Sequence, residues 1–156
     1  MKPRTYVEST IVSYLTARPT RDLVRAAEQE ITQEWWDNRH TFDLYISQLV
    51  LDEAAAGDAD AAQRRLAALR EVASLDTTDE AIALGRHLLA AGGLPPKAGA
   101  DALHIAVAAV HGMDYLVSWN CTHIANARTR GKIEGLCRGA GYEPPMLCTP
   151  RELMEE

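Results

Sequence analysis

The stretch DALHIAVAAVHGMDYLVSWN, residues 101–120, decides the fold. An acid opens an apolar run at helical spacing, Gly112 breaks it, and Tyr115 to Ser118 reads as a short buried strand with Asn120 just past its end. A helix that turns on glycine into a short apolar strand is the repeating unit of an α/β protein with a mostly parallel sheet. Asp101 and Asn120 then stand at the two outer ends of one unit.

The same pattern repeats outward from this stretch. Thr5-Tyr6-Val7 is a β-prone run ending at Glu8, and Ser9 to Leu15 follows at helical spacing. Thr20 is the expected cap of a helix reaching Asp37, with Leu23, Ala26, Ala27, Ile31 and Trp35 on its inner face. Trp35 and Trp36 cannot both lie on that face, so one ring is expected to cover a surface groove or a partner. Leu44 to Ser47 is the second strand, followed by a helix with Leu49, Val50 and Glu53 that ends near Gly57. Asp58 caps a helix to about Val72, Leu75 marks a third strand, and Thr77 or Thr78 caps a helix stopping at Gly92-Gly93. After Pro95-Pro96, where helix is forbidden, come the quoted unit, a helix over roughly 125–139 and a last strand, Met146 to Cys148. The expectation is one domain, 1–156, a three-layer α/β sandwich with a mostly parallel sheet of four or five strands.

Composition narrows the function. The chain has 156 residues, 47% of them apolar, and a formal charge of −6. That size and apolar content suit one packed core. The charge argues against a broad basic surface for gripping nucleic acid, yet carboxylates gathered round a divalent cation are negative only until the ion binds. Three cysteines without a CxxC pair point to a reducing, cytoplasmic setting, and no apolar stretch is long enough to span a membrane.

In an open parallel sheet, ligands bind outside the carboxyl ends of the strands. Glu8 and Asn120 end strands on that rim, Asp101 sits in a first helical turn facing it, and Glu53 lies one helix past the second strand. Oxygen donors of this kind suit Mg²⁺ or Mn²⁺, and such a site activates water against a phosphodiester. Each residue also has a plainer reading. Asp101 stabilises a helix dipole, Glu53 is solvated, and Asn120 makes a turn. Glu8 resists the plain reading, because a strand-end glutamate against an apolar core needs partners. Asp114 precedes its strand and belongs to the opposite rim. His104, three residues after Asp101 on the same helical face, is in reach of the site, but a packed, hydrogen-bonded histidine is the preferred reading. A zinc site from Cys121, His104, His111 and His123 matches no closed-site spacing. Arg64-Arg65 and the basic run at 128–132 are solvated helix faces, the second near enough to Asn120 to guide a phosphate backbone.

Three stretches, YVESTIVSYL at 6–15, ISQLVLDEAAAGD at 46–58 and ADALHIAVAAVHGMDYLVSWNCTHI at 100–124, together resemble the PIN domain, the nuclease fold of VapC-type toxins. The resemblance implies a Mg²⁺- or Mn²⁺-dependent endoribonuclease acting on RNA, a homodimer, and a possible small antitoxin. It places the metal on Glu8, Glu53 and Asp101, with Asn120 orienting water or ligand, and sets Ser9 and Ser118 near the site. It makes Trp35-Trp36 and the N-terminal apolar helices candidates for dimer or antitoxin contact. The chain departs from the family where Glu8 stands for a frequent Asp and Asn120 for an acid, which limits the site to three carboxylates and weakens any second metal. Two other readings stay open: a non-catalytic PIN-like module that binds RNA or protein through a degraded metal site, and a hydrolase of small phosphoesters.

Overall fold

The computed structural model describes residues 1–155. Alternation begins with β1 (Arg4–Val7), α1 (Ser9–Thr16), α2 (Leu23–Asp37), β2 (Asp43–Ser47), α3 (Gln48–Ala54) and α4 (Ala59–Ala68). It continues with β3 (Ala73–Leu75), α5 (Asp79–Ala90), α6 (Gly99–Val110), β4 (Tyr115–Val117), α7 (Ala127–Gly139) and β5 (Met146–Cys148). The five strands form one sheet in the order β3-β2-β1-β4-β5, and every pairing is parallel. Tyr6 and Val7, neighbours on β1, are both fully buried, as are Leu116 and Val117 on β4. Successive strand residues point to opposite faces, so the sheet is covered on both, the arrangement expected of a parallel sheet. α1 packs on α2, α3 and α4, and α5 packs on α6 and α7. The α/β fold read from the sequence is correct, with five strands.

Strand order turns at β1. β2 and β3 extend from one side of it, while β4 and β5 lie on the other. The crevice at the carboxyl ends of β1 and β4 is therefore the topological switch point, the place where open α/β sheets bind ligands. Val7 pairs with Val117, so the next residues, Glu8 and Ser118, face each other across that crevice.

The quoted stretch folds as a helix, a glycine turn and a strand, with β4 ending at Val117 one residue short of the expected Ser118. α6 closes on Gly112, whose φ of +69° suits glycine, with the Gly112 N–H bonded to the Ala109 carbonyl and the Met113 N–H to that of Ala108. Asp114 does face the opposite rim, where its carboxylate accepts the Arg4 backbone N–H at 2.8 Å.

Several expectations are corrected. β1 stops at Val7, and Glu8 is the extended cap of α1, although its N–H still bonds to the Val117 carbonyl. α2 is capped by Asp22, whose carboxylate accepts from the Arg25 N–H; the Thr20 hydroxyl instead accepts the N–H of Asp22. α2 buries Thr32, Trp35 and Trp36, whereas Leu23 is 87% exposed and Ala27 lies in solvent, because only the C-terminal half of the helix reaches the core. Both tryptophans lie in the chain's own core, Trp36 with 7% exposure, Trp35 against Phe42, and the Arg39 guanidinium 4.6 Å from the centre of the Trp36 ring. Adjacent rings are both buried because the short 3₁₀ turn Arg39–Thr41 folds back over the helix end. α4 ends at Ala68 and α7 starts at Ala127 with Asn126 as cap, each a few residues inside the expected limits.

Trp36 makes this correction measurable. Trp36→Ala empties a core position and should lower the free energy of unfolding in urea by about 3 kcal/mol. A change near zero would return the ring to the surface.

Candidate active site

The switch point is built from Glu8 outward. Its side chain is 3% exposed, and a buried carboxylate is stable only when hydrogen-bonded. Its Oε1 accepts from the Thr10 N–H at 3.2 Å, the Thr10 hydroxyl, and the Ser118 hydroxyl at 2.6 Å. Its Oε2 faces the Ser9 hydroxyl at 2.9 Å. The hydroxyls are themselves oriented: Thr10 Oγ1 accepts the Trp119 N–H at 2.8 Å, and Ser118 Oγ accepts the Asn120 N–H at 2.9 Å. Each spends its lone pair on a backbone donor and its proton on Glu8. The rim after β4 thus hangs from one carboxylate.

Ser9 behaves differently. Its Oγ lies 2.9 Å from Glu8 Oε2 and also 2.9 Å from Glu53 Oε1. A hydroxyl has a single proton, so one of these two carboxylates faces an oxygen without a donor. Two carboxylates so close repel unless positive charge lies between them.

On the far side of Glu53, His104 Nε2 contacts the same Oε1 at 2.5 Å. His104 is fully buried on α6, and its Nδ1 is 2.7 Å from the Tyr6 hydroxyl, which is 2.7 Å from Ser47 Oγ. An ionised carboxylate only accepts, so Nε2 is the protonated nitrogen facing Glu53. Burial alone would raise the Glu53 carboxyl, but the hydrogen bond and charge of His104, with the Ser9 hydroxyl, outweigh it and hold the group below the usual carboxylate range. Burial pushes the Tyr6 hydroxyl up, so Tyr6 stays a neutral relay. One oxygen or nitrogen from each of Glu8, Glu53 and His104 lies within 4.8 Å of the others, the single such group of metal-capable side chains among the described residues.

Asp101 lies in the first turn of α6, and its Oδ2 is 2.9 Å from Nδ1 of His123. Asn120 accepts the His123 N–H on its side-chain oxygen at 3.0 Å, closing the turn after β4. The structure thus groups Glu8 and Glu53 directly with His104, and sets Asp101 beside Asn120 through His123. The zinc combination has no counterpart, since His111 is bonded to the Asp76 carbonyl, Cys121 is an exposed free thiol, and His104 and His123 are engaged as described. Two participants escaped the sequence reading. Thr10 was signalled only by its place in the run Glu8-Ser9-Thr10, and His123 joins Asp101 across 22 residues with no local pattern to announce it. His104 is the packed, hydrogen-bonded residue its helical position suggested, and it also touches the site.

A family model described as PIN domain matches residues 6–120, from Tyr6 on β1 to Asn120 past β4. The chain belongs to the PIN-domain family. No curated protein matches it. PIN domains are generally nucleases that use divalent metals, and in this PIN domain Glu8, Glu53 and His104 form a possible metal-binding group at the switch point.

The Glu53 shift has a sign. A carboxyl held low in the fold adds stability that is complete above its unfolded value, ~4.3, and is lost as pH falls through the lower folded value. In chelator, the stability advantage of the parent over Glu53→Gln should shrink as urea unfolding is repeated from about pH 6 down to about pH 3. An advantage that stays constant across that range would contradict the His104 and Ser9 contacts.

Proposed function

We propose that this PIN domain is a metal-dependent endoribonuclease in which Glu8, Glu53 and Asp101 hold one Mg²⁺ or Mn²⁺ ion. The observation that carries the reading is the Ser9 hydroxyl shared between two carboxylates, an arrangement in which His104 compensates Glu53 but no cation among the described residues faces Glu8. Oxygen donors are the set that hard divalent ions require. When bound, such an ion lowers the pKa of a coordinated water and offsets charge on the phosphate.

The chain's own residues do the rest. Hydroxyls of Ser9, Thr10 and Ser118 fix the Glu8 carboxylate, so little reorganisation is needed when a charged ligand arrives. His104 orients Glu53 and His123 orients Asp101, as partners behind metal-binding carboxylates commonly do. Asn120 adds polarity to the rim without a fourth negative charge, which favours one ion over two. The longer glutamate at position 8 is accommodated because three hydroxyls meet its oxygens.

RNA as the substrate, a homodimer and a small antitoxin complete the proposal and follow from the likeness to VapC-type toxins. We further take residues 1–156 as one domain. No helix among the described residues is long and apolar enough to cross a membrane, and the three cysteines are free, which supports action in the cytoplasm. Trp35 and Trp36 drop out as assembly contacts because their own chain buries them.

Purified protein should cut RNA with Mn²⁺ or Mg²⁺ and stop when chelator is added. Glu53→Gln and Asp101→Asn should each slow cleavage by about 100-fold or more, since several kcal/mol of charge stabilisation is withdrawn. Undiminished cutting by Asp101→Asn would remove Asp101 from the site, and metal-independent cutting would remove the mechanism.

A further inference from the structure

Beside the carboxylates lies a second feature that the hydrolytic chemistry does not use. Tyr14 on α1 stacks on Trp119, with ring centres 5.9 Å apart and planes 18° from parallel. The Arg25 guanidinium lies 5.5 Å from the centre of the Tyr14 ring. Both rings are half-buried and neither belongs to the buried core, while Arg25 is exposed.

The stack is rigidly attached to the site. The indole N–H of Trp119 donates to the buried Thr32 hydroxyl at 2.7 Å, which fixes the ring. Its backbone N–H donates to Thr10 Oγ1, whose proton goes to Glu8. Trp119 is also flanked by Ser118 and Asn120. The backbone that carries the indole is therefore tied through one hydroxyl to Glu8.

An open cleft of about 350 Å³ begins at Tyr14 and is bounded by Thr20, Asp22, Val24, Arg25 and Glu28. Asp22 is occupied as the cap of α2, while Arg18, Arg21 and Arg25 are exposed along the chain leading into that helix. Flat rings with an arginine alongside are what single-stranded nucleic acid requires: stacking for an unpaired base and positive charge for its phosphate. Arg25 supplies the cation of this cleft, with Asp22 and Glu28 on the same wall.

We propose that Tyr14 and Trp119, with Arg25, form a stacking platform that holds an unpaired base of single-stranded RNA next to the scissile phosphate. The inference rests on the nuclease reading for its substrate class. It makes Tyr14 and Trp119 positioning residues for single strands, and it disfavours duplex, whose bases are already stacked.

The test is anisotropy of a fluorescein-labelled oligouridine in chelator at low ionic strength, where binding is read without cleavage. Tyr14→Leu and Trp119→Leu should each weaken binding about tenfold or more, and Tyr14→Phe, which keeps the ring, should retain it. Arg25→Gln should lower the slope of log affinity against log salt by about one, a change that loss of packing alone would not produce. RNA should quench Trp119 emission, and that quenching should vanish in Trp119→Leu. Parent protein that binds no oligouridine, or Tyr14→Leu that binds as tightly as the parent, overturns the platform. The two proposals fail separately. Tyr14-dependent binding without any cleavage would sink the nuclease and spare the platform, whereas metal-dependent cleavage with binding indifferent to Tyr14 would do the reverse.

Discussion

A buried carboxylate that must be satisfied is the constraint on which the rest of this structure depends. Glu8 sits at the end of the central strand with its charge almost wholly out of water. Burying such a charge unpaired would cost several kcal/mol, which is a large part of the net stability of a domain this size. The chain meets the demand with hydroxyls from both sides of the crevice: Ser9 and Thr10 from the start of α1, and Ser118 from the end of β4. Backbone donors of Trp119 and Asn120 then hold those hydroxyls in place. The rim is ordered because Glu8 is there, and Glu8 is tolerated because the rim is ordered.

From that anchor the chemistry spreads along two branches. One runs through Ser9 to Glu53 and on through His104 and Tyr6 to Ser47, joining the ends of β1 and β2 to the middle of α6. The other runs along the loop after β4 to Asn120, His123 and Asp101. Both return to α6, so this helix positions acid and histidine from one rigid rod. That is why the stretch opening with Asp101 governs fold and site together. It supplies the helix for one layer, the strand at the switch point, and side chains for both branches.

Much of this was legible in the sequence, and for a physical reason. Strand ends, caps and glycine turns are local, so the alternation of elements, Asp58 as a cap, a cap at Thr77 or Thr78, the Gly112 turn and the opposite-rim place of Asp114 could be read from neighbours in the chain. The rim placement of Glu8, Glu53, Asp101 and Asn120 followed from the general rule for parallel sheets. What could not be read were the pairings. His123 with Asp101, Tyr6 with His104, and the shared Ser9 proton depend on tertiary approach across tens of residues. The tryptophans failed for the opposite reason. A helical wheel forbids burying adjacent rings on one face, but a turn that folds back after the helix covers the second ring. Leu23 failed likewise, since apolar spacing continued past the point where α2 leaves the core.

Anomalous diffraction from a crystal soaked in Mn²⁺ locates the cation on this rim. One strong peak is expected between the carboxylates of Glu8 and Glu53, within reach of Asp101 directly or through a water, and its loss is expected in a Glu8→Gln crystal. Manganese bound only elsewhere on the surface, with Ser9 still bridging two bare carboxylates, would contradict that placement.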